Sequence, residues 1–478
     1  MTVTRRTLLG SGLAAGASLV ANQTRAQPAP APAPPASPSP HEHPPGHTPG
    51  APQTPAPADP SPGHTHGTPA QAPPAQPTPA LPPGPVAARP PWPGTPGHRL
   101  VVPNGSLLPW TLKRGVKIYH LVAESIRHQI APGLDIEAWG YNGTTPGPVI
   151  EAVVGDRVRV YVTNKLGEAT SIHWHGILVP YGMDGVSGLT QEAIPPGKTF
   201  RYEFTFDRPG TFMYHPHADE MTQIALGMMG MIVVHPRAPE PRVRDYALMT
   251  HEWKIPIGTR RADPLAMNDF NVLTFNSKAF PATAPLVAEI GDLVRIRLAN
   301  LGPMDHHPIH IHGHTFELVG TDGGTIPRSA RLPETTILVP VGTTRTIEFI
   351  AHAPGDWPLH CHMTHHAMNQ MGHEAANLVG ADTDGLDAQL ARIAPGTMTM
   401  GKHGMGEMAT MRMTQPAGSI AMLGGKGPHG VIDMGGMFTL IKIRDRLSGD
   451  GDPGWYEPRT DVAVEATADE LARDGITP

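Results

Sequence analysis

Gly155-Asp156-Arg157-Val158-Arg159-Val160-Tyr161-Val162-Thr163-Asn164 recurs later in the chain as Gly291-Asp292-Leu293-Val294-Arg295-Ile296-Arg297-Leu298-Ala299-Asn300. Both copies alternate apolar and polar residues with a period of two, which is the pattern of a half-buried strand. A second series also repeats. Pro195-Pro196-Gly197, Arg201-Tyr202-Glu203-Phe204, Pro209-Gly210 and Tyr214-His215-Pro216-His217 return as Pro340-Val341-Gly342, Arg345-Thr346-Ile347-Glu348-Phe349, Pro354-Gly355 and Leu359-His360-Cys361-His362. Gly197 to His215 and Gly342 to His360 are both 18 residues. Such self-similarity marks a copied domain. Short strands separated by Pro and Gly turns predict an all-β chain with two Greek-key sandwich or barrel domains, over 98–240 and 241–395.

The remainder of the 478 residues reads differently. Thr4-Arg5-Arg6-Thr7-Leu8-Leu9 precedes a mild apolar stretch, and Thr24-Arg25-Ala26 offers small residues at a cleavage site. Residues 1–26 therefore resemble a twin-arginine export signal, which predicts a periplasmic or extracellular protein. Residues 27–97 hold nearly half of the 57 prolines, with His41, His43, His47, His64 and His66 among them. This composition predicts a disordered or polyproline-like linker. Residues 396–478 read as a Met- and Gly-rich segment followed by a polar tail. Met398, Met400, Met405, Met408, Met411 and Met413 surround His403, and the stretch suits either soft-metal capture or an apolar cover. A formal charge of −6 excludes a nucleic-acid binder that works through net positive charge. No apolar run reaches the ~18 residues of a membrane span. A single cysteine excludes an intrachain disulfide.

Residues i and i+2 of a strand point to one face. Four His-x-His pairs stand at duplicated positions: His173/His175, His215/His217, His310/His312 and His360/His362. Eight imidazoles exceed the needs of one ion and suit a cluster of several coppers. The two copies differ where Pro216 faces Cys361 and Thr170 faces His307. Cys361, His307, His366 and Met371 supply a thiolate, two imidazoles and a thioether, the donor set of a blue-copper electron-transfer site. Cys361 should point away from His360 and His362, so one strand would join two metal centres covalently.

With these motifs assembled, the chain resembles the multicopper oxidase family over about residues 100–380. The motifs are His173-Trp174-His175-Gly176, His215-Pro216-His217, His307-Pro308-Ile309-His310-Ile311-His312, and His360-Cys361-His362 through His366 to Met371. The resemblance implies cupredoxin-like domains and four coppers. It implies His173 and His310 on type 2 copper, and His175, His215, His217, His312, His360 and His362 on a type 3 pair. Type 1 copper would be held by His307, Cys361, His366 and Met371. The implied reaction couples four one-electron oxidations at type 1 copper to reduction of O2 to water. Asp184, in Met183-Asp184-Gly185, matches a family acid that relays protons beside the cluster. Ala367 stands where many relatives carry an acid after the type 1 histidine.

Only 90 residues separate His217 from His307, too few for an intervening domain. The chain thus resembles the two-domain, small-laccase type, which implies a homotrimer with clusters between subunits. Two substrate classes stay open, phenols or aromatic amines and Cu(I); the Met-rich tail, with Met363 and Met368 beside the type 1 motif, is compatible with Cu(I), and fold and motif do not choose between the two. Copper nitrite reductase is also two-domain, but its type 1 cysteine belongs in the first domain, where this chain has Pro216. A copper-buffering protein without turnover would explain the His-rich and Met-rich segments but not complete ligand sets.

Overall fold

Each copy of the Gly-Asp motif opens a strand, Arg157–Asn164 in the first and Leu293–Asn300 in the second. Gly155 and Gly291 take φ of 86° and 89°, a conformation that glycine adopts without steric cost. Asp156 and Asp292 then close the turn by accepting the backbone N–H of Val153 at 2.8 Å and of Glu289 at 2.9 Å. The computed structural model describes residues 99–238, 240, 243–256, 258–369, 385–393, 420, 424–449, 451–457 and 462–477. The export signal, the linker and its histidines, Met371 and the methionines around His403 lie outside the described residues. Of the two units into which the chain divides, 1–80 and 81–478, all described residues belong to the second.

The duplication extends to strand pairing. In the first domain Arg157–Asn164 runs parallel to Val116–Ala131 and antiparallel to Thr199–Thr205. In the second, Leu293–Asn300 runs parallel to Arg244–Trp253 and antiparallel to Thr343–Ile350. The opposing sheet of the first domain has the order Ile150–Val153, Gly230–His235, Gly210–His215, His173–His175. Its counterpart runs Leu286–Glu289, Phe438–Arg444, Gly355–Cys361, His307–Ile311, with Thr336–Val339 added at the edge. Each domain is therefore two sheets packed face to face over an apolar core, and the first core also takes in Trp253, Ile255 and Val272 from beyond residue 240.

Two of the expected boundaries are corrected by this topology. Phe438–Arg444, expected in the appended tail, is an interior strand of the second domain. It pairs parallel with Leu286–Glu289 and antiparallel with Gly355–Cys361, as Gly230–His235 does in the first domain. Its Ile441 and Ile443 are fully buried in the core that holds Cys361. The strand follows a long Met- and Gly-rich segment whose composition masks its alternation, so the last strand is far from the rest of its domain in sequence. Arg99–Val101, expected in the first domain, pairs with Arg244–Trp253 of the second.

The domains meet along an apolar seam that includes Met213, Met231 and Val233 from the first and Ala247, Met249 and Ala299 from the second. A buried polar patch borders it. Arg297 grips both Asp245 oxygens at 2.8 Å and donates to Thr211 Oγ1 of the other domain at 2.9 Å. Paired in this way, the buried charges of Arg297 and Asp245 compensate each other. Among the described residues no helix is long and apolar enough to cross a membrane.

Candidate metal centre

Trp174 explains why its neighbours face outward. It is buried in the first core, edge-on to Tyr202 at 5.3 Å, so strand alternation turns His173 and His175 to the other side. Pairing sets His173 opposite His215. In the second domain Ile311 and Cys361 are the core-facing residues, and His310 stands opposite His360. Three donor sets result.

In the first set, ligand atoms of His173, His175 and His215 lie within 4.8 Å of one another, and His217 stands 5.7 Å from His173 ring to ring. His175 Nδ1 and His215 Nε2 are 3.2 Å apart. In the second, His312 Nε2 and His360 Nε2 are also 3.2 Å apart, with His310 and His362 rings 5.3 Å from each other. Two ring nitrogens facing each other at that distance are what one ion about 2.0 Å from each would bring together. Among the described residues, the imidazole contacts run within each set and none joins the two.

The remaining ring nitrogens are tied down in the same way in both domains. His215 Nδ1–H donates to Pro216 O at 2.9 Å and His360 Nδ1–H to Cys361 O at 2.8 Å. His173 Nδ1–H donates to Asp184 O at 2.8 Å and His310 Nδ1–H to Thr335 O at 2.7 Å. A carbonyl only accepts, so these rings keep Nε2 as a lone-pair donor for a metal. Burial pushes His215 down to about 3 and His360 to about 4, so both are neutral and ready to ligate at neutral pH.

The third set is enclosed in the second core. Cys361 Sγ lies 3.8 Å from His307 Nδ1 and 3.6 Å from His366 Nδ1, and those nitrogens are 3.2 Å apart. Both rings therefore present Nδ1 inward, the opposite choice to the four above. Burial pushes the Cys361 thiol up to about 12, so a thiophilic cation is needed to hold it as thiolate. In the first domain the corresponding corner is closed by Thr170, whose hydroxyl donates to Gln223 Oε1 at 2.6 Å. The residues described fit copper: imidazole and thiolate donors with their second nitrogens anchored.

Three carboxylates at these sets carry no signal in the motifs. Glu220 reaches His215 Nδ1 at 3.3 Å and His217 Nε2 at 3.6 Å from the first turn of the helix Glu220–Ala225. Its i+3 spacing from His217 is the one clue in the sequence. Glu252 lies 3.2 Å from His307 Nε2, and Asp305 3.5 Å from His366 Nε2. Asp184 is bound to His173 through its main-chain oxygen, with its carboxylate 3.4 Å away. A cavity of about 600 Å³ opens over the first set, lined by its four imidazoles, Glu220 and, across the seam, Gly302.

Residues 123–239 and 256–380 match models of the family described as multicopper oxidase. Laccase-1 of Cryptococcus neoformans var. grubii is 33% identical over 225 residues, covering 41% of this chain and 36% of that one. Copper resistance protein A of Escherichia coli is 41% identical over 123 residues, 25% of this chain and 20% of that one. The chain thus spans about a third and a fifth of these curated relatives' lengths. Among solved structures, the blue copper oxidase from Nitrosomonas europaea aligns with a TM-score of 0.51 and 27% identity, covering 68% of this chain and 85% of that one. The multicopper oxidase mgLAC aligns equally well, with 69% and 87% covered.

Proposed function

Since this chain belongs to the multicopper oxidase family, built here on two cupredoxin-like domains, we propose that it oxidises a reducing substrate one electron at a time and reduces O2 to water. The observation that carries this reading is the position of Cys361. Its sulfur faces His307 and His366, while His360 on the same strand faces His312. A protein that only stored copper would not need one strand to link two donor sets.

Four coppers fit the donor sets. His307, Cys361 and His366, with Met371 by family resemblance, would hold type 1. His173 and His310 would hold type 2, and His175, His215, His217, His312, His360 and His362 the type 3 pair. Copper would supply one-electron storage, so that four electrons and four protons convert one O2 to two waters. The chain's own part is to hold the ligands. The carbonyls of Asp184, Pro216, Thr335 and Cys361 orient four rings, and Cys361 with its flanking histidines provides a covalent electron path. The Asp184 carboxylate, 3.4 Å from His173 Nδ1, would pass protons.

The first and second sets each offer four imidazoles and do not touch among the described residues. This supports a homotrimer in which one subunit's first domain meets the next subunit's second domain, completing a three-copper cluster. The Arg5-Arg6 motif supports export by the twin-arginine route.

His366 has the partly exposed carboxylate of Asp305 at its outer nitrogen, and Met304 and Met363 are exposed nearby in sequence. These groups favour Cu(I) as donor beside phenols and aromatic amines. The test is O2 uptake by the copper-loaded protein with Cu(I) and with a dimethoxyphenol, in the parent and in Cys361→Ser. Uptake at the parent rate by the serine variant would refute the proposal.

A further inference from the structure

Glu252 sits on the strand Arg244–Trp253, next to the third donor set but not among its ligands. Its side chain and that of His307 are both fully buried. Oε2 lies 3.2 Å from His307 Nε2, and Oε1 accepts the backbone N–H of Met304 at 2.7 Å and of Asp305 at 2.8 Å. Three donors converge on one carboxyl group. With Nδ1 of His307 given to the metal, its Nε2 carries the hydrogen, and a protonated acid would then add one with no acceptor, so the geometry suits the carboxylate. The preceding residue grips the same loop, since His251 Nδ1–H donates to Leu301 O at 3.1 Å. Gly302 closes the pocket, and a Cβ there would fall 1.8 Å from Glu252 Oε2. The far side of the same His307 ring presents Nδ1 to Cys361 and His366.

We propose that Glu252 is a positioning residue: it locks the His307 ring toward Cys361, sets the reduction potential of that site with a sealed negative charge, and anchors the Met304–Asp305 turn beside His366. This rests on the type 1 reading of Cys361, His307 and His366. The charge has no exposed surface, so little solvent screens it. A fixed negative charge next to a metal ligand favours the more highly charged, oxidised metal. It also makes the imidazole a stronger donor by accepting its outer N–H. Both effects lower the potential. The second oxygen links this tuning to the turn that carries Asp305, 3.5 Å from His366 Nε2.

The test is a redox titration of the copper-loaded full-length protein, following its blue band, for the parent, Glu252→Gln and Glu252→Asp. The glutamine variant keeps the shape but loses the charge and sets an amide against the His307 N–H. It should stay blue with a higher midpoint potential. It should also release copper from this site to a chelator roughly 10–100-fold more readily. The aspartate variant keeps the charge and should fall between it and the parent. If the glutamine variant does not fold, a shifted band or potential in the aspartate variant carries the inference. A blue parent with unmoved variants overturns it. A parent with no blue band overturns the type 1 reading itself.

Discussion

Cys361 and His360 are consecutive, yet they serve different donor sets: the Cys361 sulfur lies 3.6 Å from His366 Nδ1, while His360 Nε2 lies 3.2 Å from His312 Nε2. The strand Gly355–Cys361 separates them because side chains alternate across it, and the core face belongs to Cys361.

Cys361→Ser should therefore abolish the blue band and oxygen uptake with every donor while the eight-histidine sets still take up copper. The buried hydroxyl should cost about 1–3 kcal/mol of stability. Copper content, absorption and thermal unfolding measured on one preparation check all three parts. A blue serine variant would contradict the assignment of the sulfur.

Ile441 is fully buried in the same core, on the strand that arrives last in the sequence. Ile441→Ala should cost about 2–5 kcal/mol, the usual penalty for emptying a core site. Ending the chain before Phe438 should leave the second domain unfolded. A truncated protein that still melts cooperatively as two domains would show the strand to be dispensable.

Stripped of copper by a chelator, the protein should lose stability as the pH falls from near 6.5 towards 4. Burial lowers His215 to about 3 and His128, His251 and His360 to about 4, against an ordinary value of 6.5. In that window the unfolded chain binds more protons than the folded one, so acid favours unfolding. His235 runs the other way. Its burial is outweighed by hydrogen bonds to Glu151 and Glu240, so its contribution is held at low pH and lost as pH rises through its raised value. The lowered histidines, which also include His175, His312 and His314, outnumber it. Urea midpoints that stay level on moving from neutral pH to about pH 5 would contradict the sign.

Asp184 offers its carbonyl to His173 at 2.8 Å and its carboxylate at 3.4 Å. Asp184→Asn keeps the carbonyl. It should retain copper and the blue band yet slow oxygen reduction by a factor on the order of 100, the scale of a lost proton donor. Copper loss in step with the rate would instead make the carboxylate structural.

Gly302→Ala should disturb Glu252 without touching a ligand, because the new methyl group would meet its carboxylate at 1.8 Å. Overpacking of this kind costs about 1–3 kcal/mol. The blue band should move, whereas a variant with the parent's melting temperature and spectrum would mean that the loop yields freely.

The sequence alone determined the features that depend on local alternation and on duplication. The two Gly-Asp strands, the pairing of His173 with His175 and of His310 with His312, and the all-β class follow from a period of two repeated in both copies. The difference between Pro216 and Cys361 was legible because everything around it was copied. Tertiary structure decided what depends on strands meeting across long stretches of chain. Glu252 reaches His307, 55 residues away, because Arg244–Trp253 lies beside Leu293–Asn300 and the loop after it. Phe438–Arg444 joins Gly355–Cys361 across a segment whose composition hides the strand. Asp305 became visible only beside the ring it faces, because a carboxylate's partner is set by where the backbone carries it, and a periodic pattern holds no record of that.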